Sequence, residues 1–557
     1  MWKEKDRAMK STNFYINWRK LAAFTMAICL LLVFSACGSS PQPSEELPTP
    51  SAAKELPMPE GTGAAGGQEL TVNMPENPQT LNPLTAQEEN LCNVLSLVVE
   101  PAIKIEANGE ILPSVIENWT FDAQTMTFTF VIRKNVSFHD GKGTVGADDL
   151  LFCIERICSY TEAESPYAKY KYVVGGYAKI DDTTFTVKVT EKTKDIFYFM
   201  NFPVLPKSYY ESAGVDFLQK PVGTGPYQVD SYTKGEGMAL SLFGDWWKTP
   251  PVFTKITAKP MDAEDSKIKG YQDGSFDAVM SASYTAESYA SEGKTTVHPI
   301  VYPTYHCLIP NMGDSFVGNK NVRRAISMAL DRSKIVSASV LGSGQATETP
   351  LRQDLWYFEN SSSAVGNGYN ASAAGKLLED AGYKLDAETG FRYSENENGS
   401  KNYLKVDLIF TEAKDFAYRS AVCESVADQL AVVGIQVNII EKSDEDYKTA
   451  LSQRNFDLAL CSYSMKSNQE IDFLFSAENN YGGYNSGALQ EQLGAAHSAL
   501  TEEELQTAYT ALQKSLLEDM PNIGLFYGEH SLIMRSDISI GKPLGYKNIF
   551  ANIKEWK

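Results

Sequence analysis

The sequence predicts an α/β protein folded as at least two bodies, and three observations carry that prediction. A chain of 557 residues, 43% hydrophobic and 22% charged, has globular composition and is too long for one hydrophobic core. In its second half Leu404, Val406, Leu408 and Phe410 alternate as a strand. Val422, Cys423, Val426, Ala427, Leu430 and Val433 then follow at helical spacing, Gly434 supplies a stop, and Ile435, Val437 and Ile439 alternate again. That order is a βαβ unit, whose crossover is right-handed. Finally, residues 298–311, HPIVYPTYHCLIPN, are rich in β-branched and aromatic side chains interrupted by prolines, and read as the passage from the first body to the second.

The chain opens with Lys3, Lys5, Arg7, Lys10, Arg19 and Lys20, then an apolar run over 21–34, then Ser35-Ala36-Cys37-Gly38. A basic start, a short apolar core and small residues at a cut site describe a secretory signal, since a membrane span needs about 20 apolar residues. Phe34-Ser35-Ala36-Cys37 resembles a lipobox, with Phe34 where Leu is commoner. That resemblance implies that Cys37 is diacylated and becomes the first residue of a mature lipoprotein, the alternatives being a soluble secreted protein or an uncleaved anchor. Residues 38–68 hold Ser, Pro, Glu, Gly and Ala and too little apolar surface to offset their ordering entropy, so they are expected to be a disordered tether. The folded part is expected to begin at Glu69.

In the first body, 70–74 alternate as a strand, 91–99 form an apolar segment, and Met126, Phe128, Phe130 and Ile132 alternate in a half-buried strand. Leu150, Leu151, Ile154 and Ile157 form one face of a helix over 147–157, and 183–189 and 276–280 are further strands. In the second body 321–332 carry Val322, Ala325, Ile326, Ala329 and Leu330 on one stripe. A helix over 444–453 leads into a strand over 456–460, and ligands of open α/β sheets bind beyond the carboxyl ends of strands, which makes 461–468 the expected binding loop. Residues 503–517 are helical, and 521–527 read as a strand.

Several motifs together resemble one family. Val222-Gly223-Thr224-Gly225-Pro226-Tyr227 is a tight turn feeding a strand, where the glycines permit positive φ and Pro226 removes a donor. It is followed by Asp245-Trp246-Trp247. Upstream stand Gly109, Pro113 and Trp119 in a Gly-x-x-x-Pro…Trp pattern closing at Phe138-His139-Asp140-Gly141, and downstream stands a V-R-x-A-x-x-x-A-x-D-R pattern from Val322 to Arg332. These resemble the peptide/nickel/opine class of bacterial extracellular solute-binding proteins, the oligopeptide- and dipeptide-binding proteins that feed ABC importers.

The resemblance implies a two-lobed, periplasmic-binding-protein-like fold of type II with an enlarged first lobe and a hinge between lobes. Lobe one would hold 69–301 and a return over 522–557, and lobe two would hold 302–521. It implies a peptide or small-molecule ligand in the cleft, ABC permease and ATPase subunits as partners, a membrane reached only through the lipid anchor, and a monomer. Position by position it places Tyr167 of Ser-Pro-Tyr, Tyr305 of the crossing strand and Tyr463 among the ligand-binding residues. Aligning Phe473-Leu474 with the family's equivalent pair sets Lys466 where oligopeptide- and dipeptide-binding members carry an aspartate that grips a peptide's amino group. At about 4 Å and an effective dielectric of about 20, exchanging attraction for repulsion matters by roughly 4 kcal/mol each way. Three consequences stay open: another acid grips the amine, the ligand has no amine there, or it presents an anion. Ordinary free-amino peptides are expected to bind poorly.

The remaining features exclude other classes. A formal net charge of −20 with no basic cluster beyond the first twenty residues argues against nucleic acid as a partner. No GxSxG, HExxH, Walker A or CxxC motif occurs, the five histidines are dispersed, and no catalytic residue, cofactor or metal site is expected, although the family's nickel branch remains open. His139 and Asp140 are neighbours on an extended chain and face opposite ways, so they are not an acid/base pair. Beyond Cys29 and Cys37, the six remaining cysteines are read as free thiols. A surface receptor or pheromone-presenting lipoprotein without transport, and an extracellular hydrolase, are the alternative functions.

Overall fold

The computed structural model describes residues 68–212, 220–289, 293–359, 368–411 and 418–557, all within one unit spanning Glu46–Lys557. The expected signal segment with Cys37, and all of the expected tether except Gln68, lie outside the described residues. Gln68 already pairs with Phe253 in the first strand, Gln68–Met74.

Two long strands organise the rest. Thr295–Pro310 has 16 residues and Ile523–Arg535 has 13, and they run antiparallel at the centre of an 11-stranded sheet. At about 3.3 Å per residue the longer one reaches roughly 50 Å, enough to belong to two bodies at once. Its first half pairs 295–301 with 529–535, and its second pairs 305–308 with 523–527 and 304–310 with the strand Leu458–Ser464. Between the halves the register shifts, from Val301 to Tyr305 and again from His306 to Cys307. Pro303 sits in that break, where a missing N–H costs no ladder bond.

Apolar packing divides at the same place. One buried cluster unites residues between Leu70 and Ile300 with Leu532 to Trp556 and takes in Leu500 from the other side, while two others run from Leu308 to Phe526 and from Tyr305 to Tyr527. The fold is thus α/β and two-lobed. The first lobe is enlarged by a separate four-stranded sheet, Ile116–Asp122, Thr127–Ile132, Thr184–Val189 and Val174–Asp181. Phe128, Phe130 and Ile132 bury one face of it completely, as alternation predicts. Met126 packs against the same core only part-buried and lies outside the strand: it stands at φ 56° just before it, in a turn closed by the Asp122 carboxylate accepting the Gln124 N–H at 2.8 Å.

In the second lobe Lys405–Thr411 and Gln436–Lys442 pair in parallel on either side of the helix Tyr418–Val432, the expected βαβ unit, and Gly434 leaves the helix at φ 84°. The helix Asp444–Gln453 follows, but its strand is longer than expected. Leu458–Ser464 continues through Cys461 because residues 461–464 pair with 304–307 of the crossing strand, so the loop begins at Met465.

The sequence motifs prove to be anchors. Gly223 and Gly225 are needed for close approach and not for positive φ: a Cβ on Gly223 would collide with the Val98 carbonyl oxygen and one on Gly225 with that of Leu97. His139 clamps this turn. The Gly223 N–H donates to Nδ1 at 3.3 Å, which leaves the ring proton on Nε2 to reach the Gly225 carbonyl at 2.9 Å. Arg332 is buried and spends its guanidinium on the carbonyls of Gly524, Ser327 and Leu330, while Arg323 holds those of Asp519 and Met520. Both arginines thereby fix the chain where it enters the second crossing strand.

Burial, opposed by the bond to Gly225, lowers the His139 pKa from 6.5 to about 4. A depressed histidine contributes stability that is present above the unfolded value and is lost as pH falls from 6.5 towards 4, here at most about 3 kcal/mol. We expect His139→Gln, which can make both bonds without titrating, to lose less stability than wild type over that window in urea denaturation. Equal losses would mean that the imidazole is not the titrating group.

Candidate functional site

Where the lobes meet lies a cavity of about 770 Å³, within the size range of small-molecule sites. The first lobe contributes the chain after the helix Glu89–Leu95, the hairpin of Ile103–Ile105 with Ile111–Pro113, and Tyr167, Lys169 and Tyr170 at the turn Ala168–Val173. The hinge break contributes Val301, Tyr302 and Pro303. The second lobe contributes Arg352, Leu355 and the loop after Leu458–Ser464, including Met465, Lys466, Ser467 and Gln469. A return segment over 542–555 closes the remaining side.

Aromatic rings give these walls their shape. Tyr302 stacks on His530 at 3.9 Å and meets Tyr546 edge-on at 5.3 Å, so an aromatic group stands at the hinge break itself. Trp246 lines the cavity beside Lys248, while its neighbour Trp247 donates to the carboxylate of the wall residue Glu100 at 2.7 Å. Arg133 and Lys248 lie over the Trp247 ring at 4.6 and 4.3 Å.

Of the four ligand-binding residues expected from the sequence, two line the cavity and two do not. Tyr167 and Lys466 are in its wall, from opposite lobes. Burial pushes the Tyr167 phenol up, so it stays protonated. Tyr305 and Tyr463 are directly opposed across the strand pair, hence on one face of the sheet, and that face packs into the second lobe's own core. Tyr305 is fully buried 5.4 Å from Tyr527, and Tyr463 donates to the Asn479 carbonyl at 3.4 Å. Lys466 meets two acids on its own loop, Asp472 at 3.0 Å and Glu470 at 3.8 Å.

Beside the cavity the same loop fastens to the first lobe. Lys194, whose side chain is 2% exposed, donates to the Asn468 carbonyl at 2.7 Å and the Tyr509 hydroxyl at 3.1 Å, and lies 4.0 Å from Glu470. The adjacent Asp195 accepts from the Asn468 amide at 2.7 Å and from Tyr172 at 2.5 Å. Glu470 in turn meets His497 at 2.5 Å. Asp195, Glu470 and His497 offer ligand atoms within 4.8 Å of one another, a spacing that could hold a metal ion, but the Lys194 ammonium already supplies the cation there. Burial alone would raise the Glu470 carboxyl; His497 and Lys194 outweigh it and hold it at about 2. The bond to Glu470 raises His497 against burial.

No sequence pattern announces this network, because the bonds that join its two halves link residues more than 270 positions apart. Lys169, Tyr302, Tyr546 and Lys547 were likewise missed as wall residues. Only Tyr302 had a signal, the adjacent Pro303 that breaks the crossing strand.

A ligand-sized cavity walled by two lobes and floored by the strands that join them defines a two-lobed solute-binding protein. The family model described as "Bacterial extracellular solute-binding proteins, family 5 Middle" matches residues 110–485, and the chain belongs to that family. It is thus a binding protein and not an enzyme. The oligopeptide-binding protein AppA of Bacillus subtilis is 22% identical over 567 residues, covering 97% of this chain and 99% of that protein. The periplasmic murein tripeptide-binding protein MppA in its unliganded open form matches with a TM-score of 0.71 at 18% identity, over 89% of this chain and 98% of that one. A nickel ABC transporter protein from Bacillus halodurans also matches at 0.71 and 18%, over 86% and 97%. The two structural matches show the same fold. Among the described residues no helix is long and apolar enough to cross a membrane.

Replacing Lys194 by Met should destabilise the protein by roughly 3 kcal/mol in urea denaturation, since it removes the buried cation near Glu470 and leaves the Asn468 carbonyl without its donor. A raised histidine contributes stability that is fully present below 6.5 and is lost as pH rises through its folded value, so the advantage of wild type over His497→Asn should shrink above pH 6.5. A variant Lys194→Met as stable as wild type would contradict the network's role.

Proposed function

We infer that this chain is the substrate-binding component of an ABC importer and that it captures an oligopeptide or a related small solute between its lobes. The observation that carries the reading is the cavity of about 770 Å³ whose walls come from both lobes and from the hinge break. The ligand class is suggested by relatives that bind oligopeptides and murein peptide. The lobes divide at about 301/302 and 521/522, and Tyr167 and Lys466 contact the solute from opposite sides. A solute held by both walls binds the closed form better and shifts the equilibrium towards it only by that difference in affinity. The loaded monomer then docks on a permease driven by ATPase subunits. Diacylation of Cys37 and the tether over 38–68 hold it on the outer face of the cytoplasmic membrane.

Native mass spectrometry of the protein purified from its own cells, followed by fragmentation of the released mass, tests the ligand class. We expect a carried peptide or peptide-like solute and, by calorimetry, rebinding with a Kd of about micromolar after it is stripped. A protein that carries nothing and binds no member of a di- to pentapeptide panel would overturn the reading. Fractionation of cells expressing Cys37→Ser tests the anchor: the variant should leave the membrane fraction, and its retention there would contradict lipidation.

A further inference from the structure

The cavity's charge runs against that of the chain. The whole sequence carries a formal charge of −20, yet the wall holds eight Lys and Arg side chains against three carboxylates, Glu100, Glu106 and Glu555. The carboxylates are already used. Glu100 pairs with Lys248 at 2.7 Å, Glu106 with Lys104 at 3.0 Å, and Glu555 lies 4.0 Å from Lys542, while Arg352 takes Asp354 from outside the wall.

What is left is an excess of cation. Lys169, Lys547 and Lys554 have no ion-pair partner among the described residues, and Lys466 meets only the acids of its own loop. Lys169 is half-buried, over the Tyr170 ring at 4.9 Å, and reaches across the cleft to the Ser467 hydroxyl at 2.9 Å, next to Lys466. Lys466 and Lys547 line the same cavity, and burial lowers the Lys169 pKa first, in a corner where repulsion by Lys547 and Lys466 is partly offset by Asp195 and Glu162. Like charges held together in a partly desolvated site are a cost that an anion would remove.

We propose that the cleft selects a net-anionic solute, a short acidic peptide, whose carboxylates lie among Lys169 and Lys547 of the first lobe and Lys466 of the second. This rests on the solute-binding reading above and names its substrate class. Because the corner draws on both lobes, the same anion that relieves the repulsion also ties the lobes together.

Calorimetry of the stripped full-length protein with triglutamate, trialanine, trilysine and inorganic phosphate tests this. Triglutamate should bind at least about tenfold more tightly than trialanine, trilysine should bind more weakly than either, and the triglutamate affinity should fall as salt is raised. The double variant Lys169→Gln/Lys547→Gln should lose that preference, its triglutamate affinity falling about tenfold more than its trialanine affinity, with an unshifted thermal midpoint showing that it folds. If it misfolds, Lys547→Gln alone is read the same way. Equal or tighter binding of trialanine or trilysine, a preference unchanged in the variant, or phosphate binding more tightly than triglutamate would each overturn the proposal. A neutral or basic peptide carried by the native protein would overturn this inference and leave the solute-binding reading intact, whereas failure of every probe and of the carried-ligand search would remove both.

Discussion

The antiparallel pairing of Thr295–Pro310 with Ile523–Arg535 is the constraint on which the molecule depends. Two chain segments more than 200 residues apart hydrogen-bond along most of their length, one half inside each lobe's packing. Rupture of that ladder would separate the lobes, and a perfect ladder would make them one rigid slab. The shift between Val301 and Tyr305, with Pro303 inside it, is the compromise: pairing persists on both sides of a short stretch where it is interrupted. That stretch is also the floor of the cavity.

Around this ladder the polar anchors divide their tasks. Arg323 and Arg332 spend charge on backbone carbonyls to set the entry of the second strand, and His139 spends both ring nitrogens on the 223–225 turn. These residues are fixed points of a lobe. Lys194, Asp195, Asn468 and Glu470 act between lobes, where a buried ion network holds only if every partner is in place. The loop from Met465 to Glu470 serves both purposes, since it walls the cavity with Lys466 and Ser467 and docks on the first lobe through Asn468. Cavity wall and lobe contact are therefore supplied by one short stretch of chain.

Local patterns made the elements legible and left the site half hidden. Alternation at Phe128, Phe130 and Ile132 and the 404–439 βαβ unit depend on neighbours a few residues away, and both were readable. The loop's place was read correctly from the rule for open sheets, but its start was misjudged at Cys461, because whether a strand stops or goes on depends on a partner about 150 residues upstream. The same distance hid the fate of Tyr305 and Tyr463. Their resemblance to pocket aromatics said nothing of which sheet face they share, and here that face is core. Tyr167 and Lys466 do reach the cavity, while Lys169, Tyr546 and Lys547 could be found only once the return segment was folded against the cleft.

The proposed function requires the two lobes to move about a paired-strand joint and close on a solute. Small-angle X-ray scattering of the mature protein, stripped and then reloaded with its carried ligand, examines that most directly. The account predicts a smaller radius of gyration on reloading, with secondary structure unchanged. Superimposable profiles in the two states, with binding verified in the same samples, would contradict it.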